Sequence, residues 1–487
     1  MPLPWFLCRP ILTLTALSAA APACSTPTAP TGPEATDRAA TGPHHPPPTV
    51  RLAPHRFVTE AGDEVDAELG HLTVPERRGR PHGRDLELTF VRFPALPGAS
   101  GPPIVYLAGG PGGSGIDAAR GPRFAMFNAL RAVGDVIALD QRGTGQSNAI
   151  PWCAAPRPWP LEVPAVRPVY TAWLQGLARH CAAWWRTQGV DLGGYTTVES
   201  ADDLDDLRRA LGAERLHLIG ISYGTHLAMA AMRRHGAHLG RVVLASAEGP
   251  DDTIKRPQLT EAFLRRVLTA DEHAALGQAL ARLAAAPARA SFVDPRSGQS
   301  VVVTISKLDL QRVVGYLIKN PSTLRLLRAW LPALAAGEVS ALAPIVAQAA
   351  SEAQGMRGMP EAMDAASGAS RARQAQVRRE APGTLLEDTL NYPGLALAEA
   401  LGVPDLGDDF RAPLDSAIPT LLLSGTLDGR TYVESHRELA ATLGRSTHVL
   451  VEGAGHDLFL ASPEVVARIV AFVGGREVSA APIVVAP

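Results

Sequence analysis

The sequence has 487 residues, of which 46% are hydrophobic and 19% charged, a composition typical of a globular protein. The formal net charge of −2 excludes a nucleic-acid or membrane-surface role that depends on bulk charge. No internal apolar run reaches the roughly 18 residues that a membrane-spanning helix needs. A chain of this length holds one large domain with an insertion, or two domains.

The first 23 residues have the features of a signal peptide. A short apolar stretch over 11–21 leads into Ala21-Pro22-Ala23, which has the small-x-small form of a cleavage site. Cleavage after Ala23 leaves Cys24 as the first residue, which suggests a bacterial lipoprotein with its lipid on Cys24. We therefore expect export to the periplasm or cell envelope, with a lipid anchor to the membrane. A soluble periplasmic or secreted protein with an unmodified Cys24 is the alternative.

Residues 24–50 are predicted to form a disordered tether. They are rich in proline, threonine and alanine, and too few of them are apolar to build a core. His44 and His45 lie in this segment, but no further ligands accompany the pair, so we predict no metal site there.

Cysteine usage agrees with export. Cys153 and Cys181 are the cysteines that remain beyond the signal peptide and Cys24. In an oxidising compartment these two residues are expected to form a disulfide, and a pair of buried free thiols is the alternative.

Short runs rich in valine, isoleucine and leucine recur along the chain and predict β-strands. They are 86–93, 103–108, 135–140, 215–219, 241–246, 419–424 and 447–452. The later runs show almost no alternation of polar and apolar residues, as expected for parallel strands that are buried on both faces. Helical candidates such as 198–211 and 432–443 lie between them, which predicts an α/β fold with a mostly parallel sheet.

The predicted core is interrupted by an insertion. We place the first part of the core at 51–250, the second at 412–475 and a C-terminal tail at 476–487. Residues 251–411 are predicted to be a largely helical cap inserted between two strands. Its helical stretches and one β-rich patch are 259–285, 308–318, 324–335 and 300–305. The stretch 355–379 is low in large apolar residues, and we expect it to be mobile.

The strand-like run 215–219 leads directly into Gly220-Ile221-Ser222-Tyr223-Gly224. This G-x-S-x-G pattern between a strand and a helix is typical of a nucleophile elbow, where a tight turn lifts the serine hydroxyl clear of the sheet. The helix that follows points its N-terminus at the same place, where free N–H groups stabilise negative charge. Ser222 is therefore the predicted nucleophile.

A serine nucleophile needs a base, and the base needs an acid that orients it. His456 follows a predicted strand on a glycine-rich loop, and Asp428 follows the run 419–424. Both lie at the carboxyl ends of strands, where ligands bind in open α/β sheets. We predict His456 as the base and Asp428 as the acid. Asp457 and Asp415 are weaker candidates for the acid, because a sequence neighbour such as Asp457 points poorly at the imidazole of His456.

The negative charge that forms on the substrate needs two preorganised N–H donors. Tyr223, as the residue after the nucleophile, is predicted to supply one from its backbone. The glycine-rich run 109–115 follows another strand and can supply the second, which we assign to Gly110. A phosphate-binding loop is disfavoured, because Pro111 lacks a donor and no Lys-Ser/Thr pair follows.

Four motifs together are similar to one family. They are Gly109-Gly-Pro-Gly-Gly113, Asp140-Gln-Arg-Gly-Thr-Gly-Gln-Ser147, Gly220-Ile-Ser-Tyr-Gly224 and Gly455-His456. They resemble the proline iminopeptidase and tripeptidyl aminopeptidase group of α/β-hydrolases, over about 86–249 and 418–474. The resemblance implies an α/β-hydrolase fold with a Ser-His-Asp triad at Ser222, Asp428 and His456 that removes N-terminal residues from peptides.

Such an exopeptidase needs a carboxylate for the free ammonium group of its substrate. Glu248 ends the predicted strand 241–246 near the cap and is the candidate, with a hydrogen-bonded turn residue as the alternative. Asp140 and Arg142 are expected to shape the neighbouring loop rather than to take part in the reaction.

The sequence therefore predicts an exported serine hydrolase that forms an acyl-enzyme, without metal or cofactor, on short peptide substrates. A carboxylic ester or amide hydrolase for small molecules is the alternative, because the fold does not fix the substrate. A non-catalytic binding protein on the same scaffold is a more remote possibility.

Overall fold

The computed structural model describes residues 48–80, 83–147 and 150–485. The predicted signal peptide, Cys24 and residues 24–47 of the predicted tether lie outside these ranges. In the described part of the chain no helix has the length and apolar character needed to cross a membrane.

The strands of the described chain are numbered in order. They are β1 (Thr49–Val58), β2 (Glu64–Pro75), β3 (Asp85–Phe93), β4 (Gly101–Leu107), β5 (Gly134–Leu139), β6 (Cys153–Ala154), β7 (Leu216–Ser222), β8 (Leu239–Ala247), β9 (Ala288–Val293), β10 (Ser300–Ile305), β11 (Gly355–Met356), β12 (Thr420–Gly425), β13 (Ser446–Glu452) and β14 (Ile483–Val484).

The helices follow the same numbering. They are α1 (Gly115–Arg120), α2 (Phe124–Leu130), α3 (Arg167–Thr187), α4 (Thr197–Ala210), α5 (Tyr223–His235), α6 (Pro257–Val267), α7 (Ala270–Ala285), α8 (Lys307–Leu317), α9 (Pro321–Ala336), α10 (Ala343–Glu352), α11 (Met359–Ser367), α12 (Arg371–Glu380), α13 (Gly394–Leu401), α14 (Gly407–Arg411), α15 (Val433–Ala440) and α16 (Pro463–Val473).

One large twisted sheet organises the molecule. Its strand order is β1-β2-β3-β5-β4-β7-β8-β12-β13-β14. The first three strands are antiparallel to their neighbours, and every pairing from β5 to β14 is parallel. The central strands β7 and β12 are buried almost throughout, as expected where helices cover both faces. The prediction of an α/β fold with a mostly parallel sheet is confirmed.

Side chains that alternate along each strand build a core on each face of the sheet. In β4, Val105 and Leu107 belong to one core, whereas Ile104 and Tyr106 belong to the other. All four side chains are at most 1% exposed. The sheet is therefore held from both sides, and this fixes the loops at the carboxyl ends of its parallel strands.

Both edges of the sheet extend beyond the predicted core. Strand β1 begins at Thr49, inside the segment interpreted as a tether. Ile483 and Val484 pair in parallel with Val451 and Glu452, so the segment 476–487, interpreted as a tail, supplies the last strand. Two residues are too few to give a periodic signal in sequence, and Ile483 reaches the core only because β13 lies beside it.

The chain between β8 and β12 is mostly helical and has a core of its own. Helices α6 to α14 lie here, with the β9–β10 hairpin between them. Leu276, Leu310 and Leu327 are fully buried in this third core. The predicted helical stretch 259–285 is two helices, because Thr269 starts α7 with a capping box that it shares with Glu272.

The low content of large apolar residues in 355–379 led us to expect a mobile segment, but the segment is mostly helical and packed against the core. Most of this segment forms α11 and α12, and Met359, Ala362 and Met363 of α11 are fully buried. The Tyr223 hydroxyl lies 3.1 Å from the sulfur of Met363, which ties α11 to the start of α5. Methionine, which is unbranched and flexible, adapts to irregular space in such a core.

The pair Asp140 and Arg142 shapes the loop after β5, although the two residues do not bind each other. Asp140 accepts hydrogen bonds from the Ser114 hydroxyl and the Gln146 backbone N–H. The fully buried Arg142 forms a two-pronged ion pair with Asp203 at 2.6 and 2.7 Å. Because Asp203 lies in the second turn of α4, it serves as this partner rather than as a charge at the helix N-terminus.

Cys153 of β6 and Cys181 of α3 form a disulfide, and both are buried. Replacing both residues with alanine should lower the free energy of unfolding by about 3–4 kcal/mol, because the open loop regains chain entropy when it unfolds. Urea denaturation of the double variant and of the oxidised protein measures the difference. Reduction of the unsubstituted protein should give the same loss, and the double variant should not respond to reductant. Equal stability of all forms would contradict this account.

Candidate active site

Ser222 occupies a strained turn between β7 and α5. Its φ of 54° and ψ of −129° are rarely adopted by residues other than glycine. The flanking glycines make the turn possible. A Cβ atom on Gly224 would lie 2.0 Å from the Leu107 carbonyl oxygen, and one on Gly220 would lie 2.5 Å from the Gly224 oxygen. The small residues of the predicted elbow are thus required by backbone contacts.

The Ser222 hydroxyl is not used to cap the helix that follows it. Tyr223 is the first residue of α5, so its N–H has no acceptor within the helix. On the other side, a Cβ on Gly109 would lie 3.0 Å from the Ser222 Cβ, which brings the glycine-rich loop directly against the serine. Gly110 follows with a φ of 125°, a conformation that favours glycine. The two predicted N–H donors therefore belong to segments that flank Ser222.

His456 and Asp428 are brought together from separate loops. His456 Nδ1 lies 2.8 Å from Asp428 Oδ2. Asp428 is 1% exposed and also accepts hydrogen bonds from the Thr431 hydroxyl at 2.6 Å and from the Arg430 backbone N–H at 2.7 Å. With the carboxylate accepting from Nδ1–H, the other imidazole nitrogen, Nε2, is left as the proton acceptor.

The environment keeps Asp428 ionised. Burial by itself would raise its pKa, but the nearby charge of His456 and the hydrogen bonds from His456 and Thr431 outweigh burial and lower the pKa below its usual range. A permanently charged carboxylate both orients the imidazole and stabilises its protonated form.

The rival carboxylates have other surroundings. Asp457 forms an ion pair with Arg123, with 2.7 Å between Oδ2 and Nη2, and Arg123 also donates to the Tyr106 hydroxyl. Of the carboxylates in the described chain, Asp428 is the one within hydrogen-bond distance of the His456 ring, and Asp415 is not. Sequence alone left this choice open, because the ion pair of Asp457 depends on a residue far away in the chain.

The inserted region binds both loops directly. The His456 backbone N–H donates to the Lys319 carbonyl at 2.7 Å and to Asn320 Oδ1 at 3.0 Å. Asn320 Oδ1 also accepts from the Asp457 N–H at 3.3 Å. The Gly429 N–H, next to Asp428, donates to the Ile318 carbonyl at 3.0 Å. The segment 318–320, which joins α8 to α9, therefore fixes the spacing between the histidine and aspartate loops. No motif in the sequence indicates this role.

A cavity of about 530 Å³ opens over this arrangement. Ser222, His456 and Gly110 line it from the sheet, and Gln311, Tyr316 and Leu390 line it from the insertion. The volume is in the range of sites for small organic ligands. The described residues hold no group of three or more His, Cys, Asp or Glu side chains arranged to bind a metal ion.

Glu248, the candidate for the ammonium-binding carboxylate, lies in the cavity wall. Its Oε1 atom is 2.7 Å from the Lys255 ammonium, and both side chains are largely buried. Sequence reasoning missed this lysine and a second carboxyl, Asp364 of α11. The side chain of Asp364 reaches solvent, although many protein atoms surround its carboxyl group. These surroundings, and then the charges of Glu248 and Glu361, raise the pKa of Asp364 to about 7. The sequence does not reveal that Asp364 interacts with Glu248, because the fold brings the two residues near each other from distant parts of the chain.

A family model described as the alpha/beta hydrolase fold matches residues 102–463 of the chain. Among curated proteins, the chain is 30% identical over 197 residues to tripeptidyl aminopeptidase of Streptomyces coelicolor, which covers 38% of this chain and 35% of the relative. It is 31% identical over 193 residues to serine protease Hip1 of Mycobacterium tuberculosis, covering 38% of this chain and 36% of the relative. The chain thus aligns with about a third of the length of these curated relatives.

Solved structures resemble the chain over most of its length, at low sequence identity. Proline iminopeptidase of Mycobacterium smegmatis aligns with 83% of this chain and 96% of its own, at 16% identity and a TM-score of 0.42. A thermophilic esterase of Thermogutta terrifontis aligns with 83% and 97%, at 19% identity and a TM-score of 0.38.

The contact of Asn320 with the histidine loop leads to a prediction about rate. Asn320→Leu removes the side-chain acceptor that the His456 N–H shares with the Lys319 carbonyl, and that also accepts from the Asp457 N–H. It should therefore lower kcat by about 10-fold or more through a misplaced imidazole. Asn320→Asp keeps an oxygen at the same place and should retain most of the activity. Hydrolysis of a nitrophenyl ester across pH, together with Tm, provides the measurement. Equal losses in both variants, following their losses in Tm, would contradict a positioning role.

Proposed function

Since the chain belongs to the α/β-hydrolase fold family, we propose that it is an exported serine hydrolase that releases N-terminal residues from short peptides. The observation that carries this proposal is the arrangement of three groups at one cavity. Ser222 stands in a strained elbow, and His456 is held through Nδ1 by the buried, ionised Asp428.

The reaction follows from this arrangement. His456 Nε2 accepts the hydroxyl proton as Ser222 Oγ attacks the acyl carbon of the substrate. The oxyanion that forms accepts hydrogen bonds from the Tyr223 and Gly110 backbone N–H groups. As the tetrahedral intermediate collapses, the imidazolium donates its proton to the leaving amine, and an acyl-enzyme remains on Ser222. Water, deprotonated by the same imidazole, then releases the acid product.

The preference for a free N-terminus is supported by carboxylates beside the cavity and by the names of the aligned relatives. Glu248 shares its charge with Lys255, so an incoming ammonium needs a further acid. Asp364 of the insertion lies outside the cavity lining but acts electrostatically on Glu248, and we propose it as that acid. An ammonium group near both carboxyls would favour their ionised forms.

The second candidate function is hydrolysis of small carboxylic esters or amides. The ion pair between Glu248 and Lys255 favours it, because a neutralised carboxylate has less attraction for a substrate ammonium. A non-catalytic binding role is the remaining alternative, and labelling by a fluorophosphonate separates it from both enzymes.

Export is supported by the disulfide between Cys153 and Cys181, since such bonds persist in oxidising compartments. Lipidation of Cys24, and a periplasmic or cell-envelope location, remain part of the proposal.

Ser222→Ala should abolish both fluorophosphonate labelling and turnover, because it removes the atom that forms the acyl-enzyme. The fold should be retained, and Tm should stay within a few degrees of the unsubstituted protein. Ser322→Ala, at an exposed position of α9 outside the cavity, is a serine control that should still react with the probe. Residual turnover within 10-fold of the original rate would refute the assignment of Ser222.

Glu248→Gln should raise KM for aminoacyl and tripeptidyl chromogenic amides with a free N-terminus by about 10-fold, since it removes a charge beside the ammonium. Short-chain nitrophenyl esters should be spared. The comparison also includes the same amides with a blocked N-terminus, which the original protein should cleave poorly. Equal effects of the substitution on amides and esters would remove the anchor role and support the esterase alternative.

A further inference from the structure

The charges in the cavity wall are strongly unbalanced. Four cationic side chains line it, and they are Arg123, Arg312, Lys319 and Arg430. Glu248 is the carboxylate among its lining residues in the described chain. Asp457 neutralises Arg123, and Lys255 neutralises Glu248. With these two ion pairs set aside, the positive charges of Arg312, Lys319 and Arg430 remain in the cavity wall.

In the described chain the other three cations have no such partner. No carboxylate oxygen there lies within 4.0 Å of the charged nitrogens of the partly buried Arg312, Lys319 or Arg430. Arg78, Arg142 and Arg373, by contrast, each have one. Asp309 acts on Arg312, and Asp364 on Arg430, only over longer distances.

The groups that surround these cations are mostly neutral. Arg312 interacts with the phenol groups of Tyr170 and Tyr392, and the Lys319 ammonium lies 3.9 Å from the centre of the Tyr316 ring. Arg312 and Tyr316 are one turn apart on α8, so they present to the cavity from the same side of that helix.

Cations without counter-charge in a confined space cost folding free energy, because they lose part of their hydration without gaining a partner. They also create a positive potential that a low-dielectric wall concentrates within the cavity. Two guanidinium groups and an ammonium are well suited to a planar carboxylate, which guanidinium binds through two parallel hydrogen bonds.

We propose that Arg312, Lys319 and Arg430 form a binding site for a carboxylate of the substrate, within the hydrolase cavity. The inference rests on the proposed hydrolase function and narrows its substrate class to compounds that carry a carboxylate on the acyl part or on the leaving group. In a short peptide the carboxylate is either the free C-terminus or an acidic side chain. A free C-terminus in this site would restrict the enzyme to peptides short enough to reach from Ser222 to the cations.

The test uses tripeptides with a free N-terminus, supplied as matched pairs. The members of the first pair have the same sequence and differ only in ending with a carboxylate or a carboxamide. The other pairs all end with a carboxamide, and the two members of each differ only in having glutamate or glutamine at one position. The original protein should cleave the carboxylate member of at least one pair with kcat/KM about 10-fold higher, chiefly through a lower KM. The pair that shows the preference identifies the source of the carboxylate.

Substitutions connect the preference to the site. Arg312→Gln, Lys319→Gln and Arg430→Gln should each reduce the carboxylate-to-amide ratio at least about 3-fold, whereas Arg325→Gln, at an exposed position of α9 outside the cavity, should leave it unchanged. The ratio compares two substrates on the same enzyme, so partial unfolding cancels. Equal cleavage of the members of every pair by the original protein, or an unchanged ratio in all three cavity variants, would overturn the inference.

Failure of the peptidase proposal would be recognised separately. If no peptide is cleaved but nitrophenyl esters are, the carboxylate site is tested with the 4-nitrophenyl half-ester of succinic acid against the corresponding methyl, nitrophenyl diester. A preference for the half-ester that Arg312→Gln abolishes would support the site on an esterase. Equal rates for the two esters would overturn it.

Discussion

Ser222 has a left-handed backbone conformation that persists only because its surroundings leave no alternative. The carbonyl groups of Leu107 and Gly224 lie where Cβ atoms on Gly224 and Gly220 would be, so β4, β7 and α5 meet with backbone against backbone. This close packing sets the serine at the carboxyl edge of the sheet and brings the glycine-rich loop after β4 against it. The hydroxyl, the first N–H of α5 and the loop donors thus share one position, which the fully buried central strands keep rigid.

The insertion is part of the site as well as its cover. Its segment 318–320 accepts hydrogen bonds from the loops of both His456 and Asp428, and Pro360 of α11 packs where a Cβ on Gly112 would lie. Movement of these helices would therefore change the imidazole position as well as access to it. The proposed substrate contacts of α8 therefore lie next to the segment that aligns the histidine.

Some charged side chains of the cavity have a close partner of opposite charge, and others in the described chain have none. Asp428, Glu248 and Arg123 each have a close partner, and these pairs hold loops in place. In the described chain Arg312 and Lys319 lack one, and the carboxylate proposed as a ligand would supply their counter-charge. The insertion takes part in both proposals. Its segment 318–320 positions the loop of His456, and its residues Arg312 and Lys319 belong to the proposed carboxylate site.

The sequence by itself determined the α/β alternation, the elbow at Ser222 and the loops of Asp428 and His456, because these signals are local: apolar runs, glycines and a motif within a few residues. Only the tertiary structure decided that Asp457 binds Arg123, that Lys255 neutralises Glu248, that 355–379 is helical and that Ile483 completes the sheet. It also brought Arg312 of the insertion and Arg430 of the core to one cavity. Each of these features joins residues distant in the chain, and packing and charge pairing select such partners without leaving a periodic pattern in either segment.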